Sequence, residues 1–214
     1  MIDLTEVLRY AGVARVYGVG EDSLTPFVDA VWRTEGMAWV EVRDESAAAL
    51  AAADEAQATG QLAVCAGSYG AGKPHLIHGL YDAHRTGAPV LAVASYVSTE
   101  DRGGGALHEV HPERLFAECS HYCGPVSHPS QISWLARTAM QHALVRGGVA
   151  VLLLDPPVAT ERQDLTEQSS SCRIRGDVIR GRQPPVRIHG VPLHAARSAH
   201  RRRGQRRSGH ARTS

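Results

Sequence analysis

The sequence predicts an α/β fold: a single three-layer domain with a mostly parallel sheet flanked by helices over residues 1–160. A disordered basic tail is expected over 161–214. Three observations carry this reading. Short apolar runs of strand length, "LAVCAG", "APVLAVAS" and "VAVLLLD", alternate with helix-length segments, which is the rhythm of βαβ units. Those runs lack polar alternation, as strands buried on both faces do. Finally, the charge changes sign near residue 160, from net −8 before it to net +9 after it, and every basic residue of the second part is arginine.

The elements follow in order. Leu4, Val7, Leu8 and Ala11 repeat at helical spacing, and Val13 to Val19 reads as a short strand. Asp22 and Ser23 are candidate caps for a helix through Phe27, Val28 and Val31. "MAWVEV" is short and β-rich. "DESAAALAAADEAQATG" is an alanine-rich helix, with Asp44 as cap and Gly60 as stop. "KPHLIHGLYDAHRTG" reads as a helix with Pro74 in its first turn, where proline is tolerated. Residues 97 to 110 are glycine-rich and loop-like, and "PERLFAECS" is a short helix. "PSQISWLARTAMQHALVRGG" is a longer one, with Ile132, Leu135, Ala139 and Leu144 on one face.

Composition bounds the function. An apolar content of 43% supports a buried core. No apolar run reaches the roughly 18–20 residues of a membrane span. The N-terminus reads as a helix and not as a signal peptide. Four cysteines in 214 residues do not suggest a disulfide framework, so a reducing cytoplasm is the expected location.

"CAGSYGAGKPHL" raises a chemical question, because Gly67, Gly72 and Lys73 spell most of a phosphate-binding loop. That loop requires a hydroxyl next, to hold magnesium, and the chain has Pro74. A tight strand-to-helix turn is the plainer reading. Glu45 stands at the start of a helix, just after a strand, where the helix dipole alone would favour it. Both features follow strands directly, where ligands bind in parallel sheets.

"GVARVYGVGEDSLTPFVDAV", "VRDESAAALAAADEAQATGQLAVCAGSYGAGKPHLIHGLYDAHRTGAPVLAVAS" and "HEVHPERLFAECSHYCGPVS" together resemble the N-terminal pyrimidine-binding domain of thiamine diphosphate enzymes. The likeness runs from about residue 4 to about residue 159 and is strongest to the pyruvate oxidase or pyruvate:quinone dehydrogenase branch. It implies that Glu45 hydrogen-bonds the cofactor's aminopyrimidine N1′ and relays a proton. It implies also that the glycine loop packs beside that ring, with Ser68, Gly70, Gly72 and His75 matching the family pattern. The loop is then a close-approach turn next to an aromatic cofactor. Gly20 and Glu21 stand where the family has Pro-Gly in the first cofactor loop, and Leu107-His108-Glu109 replaces Phe-Gln-Glu beside the substrate.

By the same resemblance, the substrate is a 2-oxo acid, pyruvate, and the full-length family uses thiamine diphosphate with magnesium and FAD. The domains that hold the diphosphate, magnesium and flavin have no counterpart in residues 160–214. The chain is therefore expected to be a truncated or frameshifted pyrimidine-binding fragment, inactive alone and associating as a homodimer or through its pyrimidine-domain interface. Two alternatives stand beside this: a stand-alone binding module, and one chain of a split enzyme. Neither Cys119, His121 and Cys123 nor His108-Glu109-x-His111 has a familiar zinc-ligand spacing, and no metal ligand is expected. "HRRRGQRR" is a basic patch, but without interleaved aromatics it argues against nucleic acid as the partner.

Overall fold

The computed structural model describes residues 2–20, 22–70, 72–98, 102–105 and 109–155. The expected boundary at 160, the tail and the two substrate-side residues Leu107 and His108 lie outside the described residues.

Six strands form one sheet: β1 (Arg15–Gly18), β2 (Ala38–Glu41), β3 (Ala63–Gly67), β4 (Val90–Ser95), β5 (Tyr122–Val126) and β6 (Val149–Leu154). Their order is β2-β1-β3-β4-β6-β5, and every pairing is parallel. The helices are α1 (Ile2–Tyr10), α2 (Thr25–Arg33), α3 (Glu45–Thr59), α4 (Gly72–Thr86), α5 (Pro112–Leu115) and α6 (Ile132–Arg146).

Side chains alternate between two separate cores, as the two-residue period of a strand requires. Val64, Ala66, Leu91, Val93, Ala150 and Leu152 face α1, α2 and α6, where Leu8, Phe27 and Met140 pack. Ala63, Cys65, Val90, Ala92, Val149 and Val151 face α3 and α4, where Ala52, Leu76 and Leu80 pack. The result is the expected three-layer α/β domain, with a sheet parallel throughout.

Local chemistry sets the helix ends that matter to the site. Asp44 accepts a hydrogen bond from the Ala47 amide and starts α3, while Gly60 in the left-handed region ends it. That amide bond holds the Asp44 carboxyl below its usual range. Two expectations are corrected here. Asp22 and Ser23 do not cap α2; they form a 3₁₀ turn with Leu24, and Leu24 occupies the cap position without a side-chain bond. "YCGPV" was not read as a strand, yet it is β5. It pairs only with β6, at the sheet edge, where Pro125 is exposed and its missing amide hydrogen does no harm.

Candidate cofactor site

Strand order locates the crevice. The chain leaves β1 toward β2 on one side, and leaves β3 toward β4 on the other. The carboxyl ends of β1 and β3 therefore diverge, and this is the switch point at which open α/β sheets bind ligands. Three sequence-predicted segments converge on that end of the sheet: Gly20 after β1, Glu45 after β2, and Ser68–Gly72 after β3.

Glu45 is the first residue of α3 and only 5% exposed. A carboxylate buried this far needs hydrogen-bond donors. Ser68, itself buried, donates its hydroxyl to Glu45 Oε1 at 2.9 Å. His75 Nδ1 lies 3.3 Å from Oε2. The His75 carbonyl accepts from Ser46 Oγ at 3.0 Å, tying the starts of α3 and α4 together.

Gly72 explains the glycine loop physically. A methyl group there would overlap Ser68 Oγ and stand 2.5 Å from Glu45 Oε1. The residue is glycine because the carboxylate and hydroxyl occupy the space of its side chain. Gly70 supplies the turn between β3 and α4, at φ +70°. So Glu45, Ser68, Gly72 and His75 form one cluster.

Gly20 belongs to a neighbouring network. Its amide donates to Glu41 Oε1 at 3.1 Å, and Trp39 Nε1 donates to Glu41 Oε2 at 2.7 Å. Glu41 was not anticipated as a site residue. Its signal was faint: an acidic residue ending a β-rich run, two positions after a tryptophan.

Lys73 is the only lysine of the chain and is fully buried. Its ammonium donates to the Ser95 carbonyl at the end of β4, at 2.9 Å. A phosphate-cradling lysine must face the loop's ligand; this one turns into the protein, so the triphosphate reading fails on geometry as well as on Pro74. Burial pushes its pKa down to about 8. Exchange for an apolar chain of similar length, Lys73→Met, is expected to stabilise the fold at pH 7 by about 1–2 kcal/mol. The folded state binds the proton less tightly than the unfolded chain, so wild-type stability rises as pH climbs from about 8 toward 10.5. That rise, measured against the variant by urea unfolding, should vanish in Lys73→Met. A variant less stable than wild type at pH 7 would show that the bond to Ser95 outweighs the buried charge.

Cys119 is buried just ahead of β5, and Cys123 is half-buried within it. Burial pushes their thiols up to about 11 and about 12, which disfavours a reactive thiolate. Among the described residues, no group of three or more His, Cys, Asp or Glu is arranged to hold a metal. Among the same residues, no helix is long and apolar enough to cross a membrane.

A parallel sheet with a buried carboxylate and a glycine turn at its switch point defines an α/β cofactor-binding domain. The particular cofactor class comes from comparison. Residues 3–115 match the thiamine pyrophosphate enzyme, N-terminal TPP binding domain, and the chain belongs to that family. It is 48% identical over 156 residues to an uncharacterized 42.6 kDa protein of Pseudomonas amyloderamosa, covering 73% of this chain and 39% of the relative. Identity to YdaP of Bacillus subtilis, named as a thiamine pyrophosphate-containing protein, is 36% over 74% of this chain and 28% of that one. Identity to the pyruvate oxidase of Lactiplantibacillus plantarum is 31% over 69% of this chain and 24% of that enzyme. Acetolactate synthases match as well, at 29% to 34%. The chain thus spans well under half the length of these relatives.

Proposed function

We propose that this chain is the pyrimidine-binding half of a thiamine diphosphate-dependent pyruvate oxidase or pyruvate:quinone dehydrogenase, and that it is inactive alone. The observation that carries the reading is the buried Glu45 carboxylate, held by Ser68 and His75 in the space that a side chain at Gly72 would otherwise fill. Such a group fits an aminopyrimidine: it is water-poor, oriented on two sides, and able to bond a ring nitrogen edge-on. The pyruvate oxidase relative favours pyruvate as the 2-oxo acid.

The residues would divide the work as follows. Glu45 holds or releases a proton at N1′ of the pyrimidine ring. Ser68 and His75 fix the carboxylate's orientation. Gly70 makes the turn that would set the loop beside the ring, Gly72 leaves room for the carboxylate and the Ser68 hydroxyl, and Gly20, anchored through Glu41, belongs to the loop after β1 at the same end of the sheet. Thiamine diphosphate, when bound, supplies the electron sink for decarboxylation of the 2-oxo acid. Diphosphate, magnesium and FAD contacts would come from another polypeptide segment or subunit, so association through the pyrimidine-domain surface, as a homodimer or with a second chain, is part of the proposal. The substrate-facing roles of Leu107 and His108 belong to the same reading.

The test is direct. The purified chain, given pyruvate, thiamine diphosphate, magnesium, FAD and ferricyanide, should show no turnover. Calorimetry should find thiamine and thiamine diphosphate binding weakly and about equally, because the pyrimidine is the shared half. Robust turnover, or strong preference for the diphosphate, would overturn the half-site assignment.

A further inference from the structure

The loop that follows β1 is held from the neighbouring strand. Trp39 and Glu41 are two positions apart on β2, so their side chains leave the same face. β2 is an edge strand paired with β1, and Glu41 is exposed at its carboxyl end. Trp39 is half-buried and packs on the core. Its ring meets Phe27 edge-on, with centroids 6.2 Å apart and planes at 88°. It also covers Gly18 at the end of β1, where a side chain would stand 2.6 Å from Trp39 Cη2. Trp39 is thus fixed on two sides.

Both oxygens of Glu41 are engaged. Oε2 accepts from Trp39 Nε1 at 2.7 Å, and Oε1 accepts from the Gly20 amide at 3.1 Å. A path of contacts therefore runs from the core, through Phe27, Trp39 and Glu41, to the backbone of the loop. Neither φ nor crowding calls for glycine at position 20. Its φ is not in the left-handed region, and a side chain there would first meet the Glu41 carboxylate at 3.4 Å, an ordinary contact. What the position supplies is an amide hydrogen. Gly20 stands where the resembled family has proline, whose ring fixes φ and leaves no such hydrogen. Glycine instead has the most backbone freedom to lose. A glycine here leaves the restraint to be supplied from outside the loop, and the Glu41 carboxylate supplies it.

We propose that Glu41 is a positioning residue for the cofactor: clamped to the Trp39 indole, it holds the loop after β1 in its binding shape by the Gly20 amide. The anchor itself rests on geometry alone; its use in binding rests on the thiamine reading above. Glu41 acts through Gly20 and is not a catalytic residue. A loop already ordered loses less freedom when a ligand arrives, so the anchor raises affinity by preorganisation. The chemistry also explains why the residue is an acid. Two N–H donors face the two oxygens, and only an ionised carboxylate offers an acceptor to each. Glutamine has the same length, but it turns one of those acceptors into a donor. One of the two bonds must then be lost.

The experiment compares the full-length chain with Glu41→Gln, Glu41→Ala, the double variant Glu41→Gln with Gly20→Pro, and a control, Glu6→Gln, at a glutamate of α1 paired with Arg9. Without any ligand, NMR hydrogen exchange reads the Gly20 amide and the Trp39 indole N–H. Glu41→Ala should speed both by about tenfold, the worth of one charge-assisted hydrogen bond, and Glu41→Gln should speed at least one. Glu6→Gln should match wild type. Calorimetry with thiamine then tests the role. Affinity should fall about three- to tenfold in both Glu41 variants and stay at the wild-type value in Glu6→Gln. Proline at position 20 restores a fixed φ without needing the carboxylate, so the double variant should recover most of the loss. A merely structural role at the sheet edge would show no such recovery. Unchanged exchange in Glu41→Ala overturns the anchor. Faster exchange with unchanged thiamine affinity, or a loss that proline does not restore, overturns the positioning role. Absence of thiamine binding by wild type overturns the cofactor reading and this use of the loop with it, while the anchor still stands or falls on the exchange result.

Discussion

Gly79→Ala is expected to destabilise the domain by about 3 kcal/mol, a large part of the 5–15 kcal/mol typical of a folded domain. Gly79 lies in α4 where that helix crosses α3. A methyl group there would overlap the backbone carbon of Ala49 and the backbone nitrogen of Leu50, with Ala49 Cβ 2.7 Å away. Neither backbone atom is the end of a flexible side chain, so the helices must part. The facing side of α3 is built from buried alanines, Ala48, Ala49, Ala52, Ala53 and Ala56. Parting them exposes or loosens contacts along the whole seam, at a typical overpacking cost of about 1–3 kcal/mol and occasionally more. The higher helix propensity of alanine returns only about 1 kcal/mol. The backbone clash puts the net effect at the upper end. Urea unfolding should show a lower midpoint at unchanged slope. An unchanged midpoint would mean that α3 and α4 stand further apart than described. The site should feel the change as well, since Glu45 opens α3 while Gly72 and His75 open α4.

What was legible in the sequence depended on how local each signal was. Asp44 and Gly60 mark the ends of α3 through bonds within a few residues, and both ends were read correctly. Buried strands β3, β4 and β6 announce themselves as uninterrupted apolar runs. β5 did not, because Gly124 and Pro125 are strand-breaking types whose presence is harmless only at an edge, and edge position is a tertiary fact. The 3₁₀ turn at Asp22–Leu24 defeated the capping rule in a similar way: the capping types were there, but one turn too early. Glu45 was named through family resemblance, and its local sequence alone read as a helix-start acid. Its burial and its bonds to Ser68 and His75 span 23 and 30 residues of chain, which no local pattern encodes. The inward turn of Lys73 to the Ser95 carbonyl is of the same long-range kind.

Glu45→Gln is expected to reduce thiamine binding by the chain at least tenfold and to remove its dependence on pH. Where the proposed half-site is completed by a diphosphate-binding chain, turnover should fall by about 10²–10⁴, the range for loss of a positioned acid–base group. Glutamine keeps the size of the side chain and its ability to accept from Ser68 Oγ, so the loop geometry around Gly72 should survive. What disappears is the exchangeable proton and the negative charge beside the ring nitrogen. Glu45→Ala would confound the two effects, because it leaves the Ser68 hydroxyl buried without its acceptor. Comparing the two variants separates chemistry from scaffolding. If Glu45→Gln binds normally while Glu45→Ala unfolds or loses affinity, the carboxylate serves as a buried strut between α3 and α4. If Glu45→Gln loses both affinity and pH dependence at wild-type stability, the proton on Glu45 is shared with the ring. Buried placement makes the second outcome the expected one: Asp44, one residue earlier and exposed, already caps the helix, so a carboxylate at 45 is not needed to start α3.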